Sequence, residues 1–280
     1  MCYLIEMDKK VPGGTYLCQV NDQVSCGACC GLFNVSDVSQ GVLTSMLMQR
    51  TEAFAKVPRN MDSILEFKDE VEAREIQVRP FPDFHHCPYI GLISPNRSCV
   101  GCLLHPLASG NNGIDFRGLS YYGGVACRVY FCPTYHNLSK SYKEIIREIA
   151  TDWYLYGLII TEVNMLNAFF QETEKRLGHE ITKEDFSWNG KSADIVRECL
   201  SLKLDWPFRS NDTILCNYFF GDKLHPKPLL NYKAIGSSVS RYDVILQELV
   251  SSFDSAEELH WAESILDQLF DRMIRSFKTP

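Results

Sequence analysis

Along the second half of the chain, apolar residues return at helical spacing. From Ser139 onward Ile145, Ile149, Trp153, Tyr156, Ile160, Val163 and Phe170 share one face of a 3.6-residue repeat until Gly178 offers a stop. That pattern predicts one long amphipathic helix, kinked near Gly157. A shorter helix follows Ser192 and ends before Asp205-Trp206-Pro207, because proline disfavours the helical conformation of the residue before it. Two more are expected near the end of the chain. One runs over about Arg241–Phe253; the other starts at Ser255, whose hydroxyl and Glu258 fit a capping box ahead of an apolar face of Leu259, Ile265, Leu266, Leu269 and Ile274.

The first half carries weaker periodicity. Helices are expected over Val38–Arg50 and over Asp62–Ile76, the latter with Asp62 as its N-cap. The stretches from His85 to Cys102 and from His105 to Pro133 are rich in Gly, Pro, Asn and Ser and read as loops. The fold class expected is mainly α, with α+β as the alternative: a loop-rich, metal-stapled cysteine module over 1–138, packed against a helical region over 139–280.

A chain of 280 residues with 45% hydrophobic content builds a core without staples. Lys and Arg total 28 against 35 Asp and Glu, a net charge of −7 with no basic run, so no nucleic-acid partner is expected. The first ten residues include Glu6 and Asp8 and lack the apolar run of a secretory leader. The longest apolar stretch, Trp153–Ile160, is far shorter than the roughly 20 residues that span a bilayer. A cytoplasmic protein is expected, with no membrane and with a protein as partner or substrate.

In a reducing compartment, the twelve cysteines point to metal or redox chemistry rather than to disulfides. Eight fall between Cys26 and Cys132, namely Cys26, Cys29, Cys30, Cys87, Cys99, Cys102, Cys127 and Cys132. The pairs Cys26/Cys29 and Cys99/Cys102 have the Cys-x-x-Cys spacing by which one tight turn offers two thiolates to a tetrahedral ion. Adjacent side chains of an extended segment point apart, so Cys29 and Cys30 suit two different sites. Eight thiols suffice for two four-cysteine sites, or for an iron–sulfur cluster and a second ion. Arg97, Arg117, Arg128, His85 and His86 stand close in sequence to supply donors around the sulfurs.

The segments Cys26-Gly-Ala-Cys-Cys30, Cys87-Pro88, Cys102-Leu-Leu-His-Pro106 and Cys127-Arg128 together resemble the YkgJ-like cysteine-cluster family, whose pattern is CxxCxxCC followed by further cysteines and which is described as chelating zinc or iron. The resemblance covers about residues 23–135 and implies bound Zn²⁺ or an iron–sulfur cluster. Kinship with flagellin lysine N-methylase-like members implies the cluster in particular. The family's first cysteine falls on Gln23 here, and Cys99 or Cys18 could replace it; Cys99, already paired with Cys102, is the expected choice.

Other signals are thin. Asn189-Gly-Lys-Ser192 resembles the end of a phosphate loop, but the earlier glycine it requires is Asp185. His105, His136 and His225 read as solvated or turn residues, Cys199 as packing and Cys2 as a terminal thiol. Two functional readings follow: a metal-binding protein whose cysteines chelate zinc or an iron–sulfur cluster, or a cluster-containing protein-lysine N-methyltransferase or redox enzyme.

Overall fold

The structure is a computed structural model describing residues 7–75, 79–187, 190–210, 217, 219–220, 223–224 and 227–278. The expected Ile76 helix end, Asn189 of the Asn189–Ser192 motif, and Cys2, Cys216 and His225 lie outside the described residues. The fold is mainly helical. In chain order come α1 (Gln40–Phe54), α2 (Met61–Arg74), β1 (Ile90–Leu92), β2 (Val100–Cys102), α3 (Gly123–Val129), α4 (Thr134–Asn137), α5 (Lys140–Ile149), α6 (Trp153–Ile159), α7 (Val163–Leu177), α8 (Glu184–Ser187), α9 (Gly190–Asp205), β3 (Phe219–Phe220), β4 (Lys223–Leu224), α10 (Asp243–Glu248) and α11 (Ala256–Lys278). Both strand pairs are antiparallel; in the first, Ile90 lies opposite Cys102. Among the described residues no helix is long and apolar enough to cross a membrane.

Local chemistry sets the helix ends. Asn60, rather than Asp62, caps α2 by accepting the Ser63 N–H at 2.9 Å, and Asp62 falls in the first turn. Ser139 caps α5 through the Tyr142 N–H at 3.2 Å. Ser255 accepts the Glu258 N–H at 3.2 Å ahead of α11, as the capping-box pattern requires. Ser192 lies inside α9 rather than at its start, and the helix expected over Arg241–Phe253 is the shorter α10.

The long helix expected from Ser139 to Gly178 is three helices. Ala150 is extended, with ψ 138°, and Asp152 then opens α6 by accepting the N–H groups of Tyr154 at 2.8 Å and Leu155 at 2.9 Å. The second break, after Ile160, holds Glu162 fully buried against Lys203 at 3.1 Å and Lys227. Gly157 lies inside α6, not at a kink. Of the apolar period, Ile145, Ile149, Tyr156, Ile160 and Phe170 reach one core across both breaks, whereas Trp153 enters a second cluster.

That core joins Ile145, Ile149, Tyr156, Leu166, Phe170, Val196, Leu246, Leu266 and Phe270 to Leu17, Val24 and Tyr135. A second cluster packs Leu32, Phe33, Leu43, Leu47 and Val100 against Trp153 and Leu158, and a third gathers Phe54, Phe67, Val71, Tyr89 and Leu104. At about 1.5–3 kcal/mol for each fully buried large side chain, the first two clusters bind the N-terminal residues to the helices across residue 138. Cys26 packs on the first two clusters and Cys30 on the last two.

Candidate metal centre

The segment Cys18–Cys26 is a small hairpin. Asn21 accepts the N–H groups of Gln23 and Val24, each at 2.8 Å, which turns the chain; the Cys26 N–H then reaches the Cys18 carbonyl at 2.8 Å. This closure brings Cys18 beside Cys26 and leaves Gln23 exposed at the turn. Gly27 leads into a single 3-10 turn, Ala28–Cys30, capped by Gly31 in the left-handed conformation at φ 74°. On that turn the Cys29 and Cys30 thiols are in hydrogen-bond contact with each other.

Cys18, Cys26, Cys29 and Cys132 line one cavity of about 40 Å³, together with Tyr130, Tyr135, Thr161 and Asn217. Burial pushes the Cys18 thiol up to about 12, and the charge of Cys29 adds to it while the Tyr135 hydroxyl opposes it. Burial and the charge of Cys29 likewise raise Cys26. Burial raises Cys132, with Cys29 contributing. The Cys29 thiol itself is held down by a hydrogen bond from Cys30. These four thiols therefore share one electrostatic neighbourhood.

Cys30 links the first group to a second: its thiol, raised by the hydrogen bond with Cys29 and by burial, also feels Cys87 and Cys102. Its carbonyl accepts the Cys87 N–H at 2.8 Å, and Cys30 and Cys102 pack on the cluster that contains Cys87. Burial raises Cys87, with Cys102 and then Cys127 adding charge, and burial pushes Cys102 up to about 11. Cys127, on α3, lies 3.1 Å from the Ser120 hydroxyl, and its carbonyl accepts from Arg117 at 3.4 Å. Arg117 and Arg128 meet on Asp115, each at 2.8 Å.

Arg50 braces this group from α1. Its side chain, 1% exposed, is paired with Glu75 and donates to the Cys87 carbonyl at 2.9 Å and to His86 Nε2 at 2.7 Å. His86 Nδ1 in turn meets the Gly31 carbonyl at 2.7 Å. A donor at Nδ1 and an acceptor at Nε2 fix the neutral tautomer, consistent with burial and the Arg50 charge lowering His86 to about 3. Arg97, expected near the sulfurs, instead pairs with Glu52 at 2.6 Å.

Cys99 joins neither group. It directly precedes strand β2, and extended residues three apart face opposite sides of a sheet. The tight turn expected for Cys99/Cys102 is therefore absent. The thiol of Cys99 is buried beside Ser25 and the Val100 carbonyl, and no other thiol acts on it. Cys199 is buried on α9, far in sequence from the others. All ten described cysteines are unpaired thiols.

In kind and number the two groups of four suit Zn²⁺ or iron. Among the described residues, however, no three His, Cys, Asp or Glu donors are gathered at ion-binding distance; the thiols are neighbours rather than a closed coordination sphere. No family model, curated protein or solved structure matches the chain, so the family resemblance rests on the motif residues alone. Sequence reasoning ranked Cys18 second to Cys99 for the place at Gln23, although the Asn21-Asp22 turn between Val20 and Val24 is a hairpin signal that favours Cys18. It missed Arg50 and Tyr135, whose roles depend on partners remote in sequence.

Proposed function

We propose that this is a cytoplasmic metal-binding protein with two four-thiolate centres, one of Cys18, Cys26, Cys29 and Cys132 and one of Cys30, Cys87, Cys102 and Cys127. The cofactor is Zn²⁺ or an iron–sulfur cluster, and it staples the cysteine module to the helical half. The observation that carries this reading is the cavity lined by four thiols from three separate segments. Lining one small space with four thiols, three of them partly buried and Cys29 exposed, has no packing advantage over aliphatic residues, whereas four thiolates converging on one ion stabilise a fold strongly. Cys18 supplies the place left open at Gln23, and Cys99 is not a ligand.

The test is metal analysis and an absorption spectrum on protein purified without oxygen. Colourless protein carrying stoichiometric zinc fits structural centres; brown protein with sulfur-to-iron charge-transfer bands fits a cluster. Protein free of both metals, and unable to take up either, overturns the reading.

A second reading, a cluster-containing protein-lysine N-methyltransferase or redox enzyme, draws on one further observation. A cleft of about 450 Å³, lined by Arg50, Glu75, Arg79, His85, His86 and Tyr121, opens next to Cys87. That volume lies in the range of small-molecule pockets. Saturation binding of a sulfonium methyl donor, lost on substituting Tyr121 and His85, would move the protein to this class.

A further inference from the structure

Lys143 is 1% exposed on α5. Its ammonium donates to two carbonyls, Tyr135 at 3.0 Å and Gly13 at 3.3 Å. The backbone is shaped to receive it: Gly13 has φ +68°, and a Cβ there would lie 2.4 Å from Lys143 Nζ. The two other cations buried as deeply have carboxylate partners, Arg50 with Glu75 and Lys203 with Glu162 at 3.1 Å. Among the described residues, Lys143 has no carboxylate within ion-pairing distance. An ammonium taken out of water with carbonyls alone for company is costly, and such a group sheds its proton unless an anion lies near.

The connection to sulfur runs through Tyr135. Tyr135, whose carbonyl holds the ammonium, donates its N–H to the Cys132 carbonyl at 3.0 Å and places its hydroxyl 3.3 Å from the Cys18 thiol. The groups acting on Lys143 agree: burial lowers it, and Cys132 is the first charge that opposes this, ahead of Glu144, while Lys140 reinforces the lowering. Four thiolates around a dipositive ion leave a centre with a net charge of roughly −2, which a protein must offset with nearby donors and cations.

We propose that Lys143 is the positioning counter-cation of the first thiol group, its charge offsetting the metal–thiolate centre and its hydrogen bond holding Tyr135 between Cys18 and Cys132. This rests on the metal-binding reading above and assigns a residue that no cysteine motif contains. Removing the charge weakens metal at the first group and leaves the second untouched.

The experiment titrates Co²⁺ without oxygen into the full-length wild type and into Lys143→Gln, Lys143→Met and Lys143→Arg. Glutamine keeps a donor for the carbonyls but not the charge. In Lys143→Gln one Co²⁺ equivalent weakens by about ten- to a hundredfold, its thiolate-to-cobalt absorption shifts, and the other equivalent is unchanged; Lys143→Arg restores most of the loss. Thermal melts supply a second readout. Without metal, Lys143→Met melts at or above wild type, because a buried charge has gone; with metal it melts below wild type. Wild-type affinity at both equivalents in Lys143→Gln, equal weakening of both, or a Lys143→Met protein destabilised to the same extent with and without metal each overturns the assignment. A wild-type protein that takes no Co²⁺ overturns the metal-binding reading itself, and is thereby distinct from a failure of Lys143 alone.

Discussion

The Tyr135 hydroxyl lies 3.3 Å from the Cys18 thiol across 117 residues of sequence, and its oxygen already accepts the Leu17 N–H at 2.9 Å. A metal-bound thiolate has no proton to give, so the phenol is the donor in the loaded centre. Hydrogen bonds to ligand atoms commonly carry ten- to a hundredfold in metal affinity. Tyr135→Phe deletes one such bond and leaves the ring packed edge-on against Phe131. Its Zn²⁺ affinity at the first centre should fall about tenfold, read by competition with a chromophoric chelator; an unchanged affinity contradicts the hydrogen bond's role.

The hairpin that brings Cys18 to Cys26 separates two cysteines that the spacing alone does not. Cys18→Ser should lose metal at the first centre and lower the melting temperature, while Cys99→Ser keeps its full metal because its sulfur faces Ser25 rather than other thiols. Metal counts on the two purified variants decide between them. Loss in Cys99→Ser with retention in Cys18→Ser would reverse the assignment.

Gly31 closes the turn that carries Cys29 and Cys30. A Cβ there would sit 1.9 Å from the His85 carbonyl, on a backbone at φ 74°. Gly31→Ala therefore costs at least about 1–3 kcal/mol in backbone strain, plus the displacement of the chain that carries His86 and Cys87. Denaturant unfolding should register that loss, and metal at the second centre should weaken more than at the first. A variant with wild-type stability would show that the two segments are not packed this closely.

Glu162 fills the break between α6 and α7, with its carboxylate fully buried. Burial alone would raise it, but Lys203 and Lys227 outweigh burial and hold it below the ordinary carboxylate value. A group depressed in the folded state contributes stability above its unfolded value of about 4.3, and that stability is lost as pH falls through the lower folded value. Glu162→Gln should cost on the order of 3–5 kcal/mol at pH 7 by removing the carboxylate paired with the buried Lys203, while Lys227 keeps Glu248, and should flatten the acid limb of stability. Urea unfolding of both proteins from pH 7 to pH 3 checks it; parallel acid limbs contradict the assignment.

Much of the helical half was legible because helices declare themselves in local period and caps: Ser139, Gly178 and Ser255 mark real ends. The breaks at Ala150 and Ile160 were hidden, since a chain can leave and re-enter a helix without changing the face it buries, and the Glu162–Lys203–Lys227 cluster behind one break joins residues far apart in sequence. For the candidate centre, seven of the eight thiols expected from the sequence fall in the two proposed groups. The eighth depended on whether Cys-x-x-Cys lay on a turn or a strand. At Cys26/Cys29 glycine and a 3-10 turn make the knuckle, whereas Cys99/Cys102 is extended and its thiols diverge. Spacing is the same in both, so only backbone conformation distinguishes them.

The most direct measurement is a map of thiol protection. Full-length protein, loaded with Zn²⁺ without oxygen, is alkylated in native buffer before and after a strong chelator, and each cysteine is read by peptide mass spectrometry. The expected result is that Cys18, Cys26, Cys29, Cys30, Cys87, Cys102, Cys127 and Cys132 pass together from protected to reactive on metal removal, with Cys18 and Cys132 moving in step. Cys18 reactive in the loaded protein, with Cys99 released by the chelator in its place, would contradict the two four-thiolate centres.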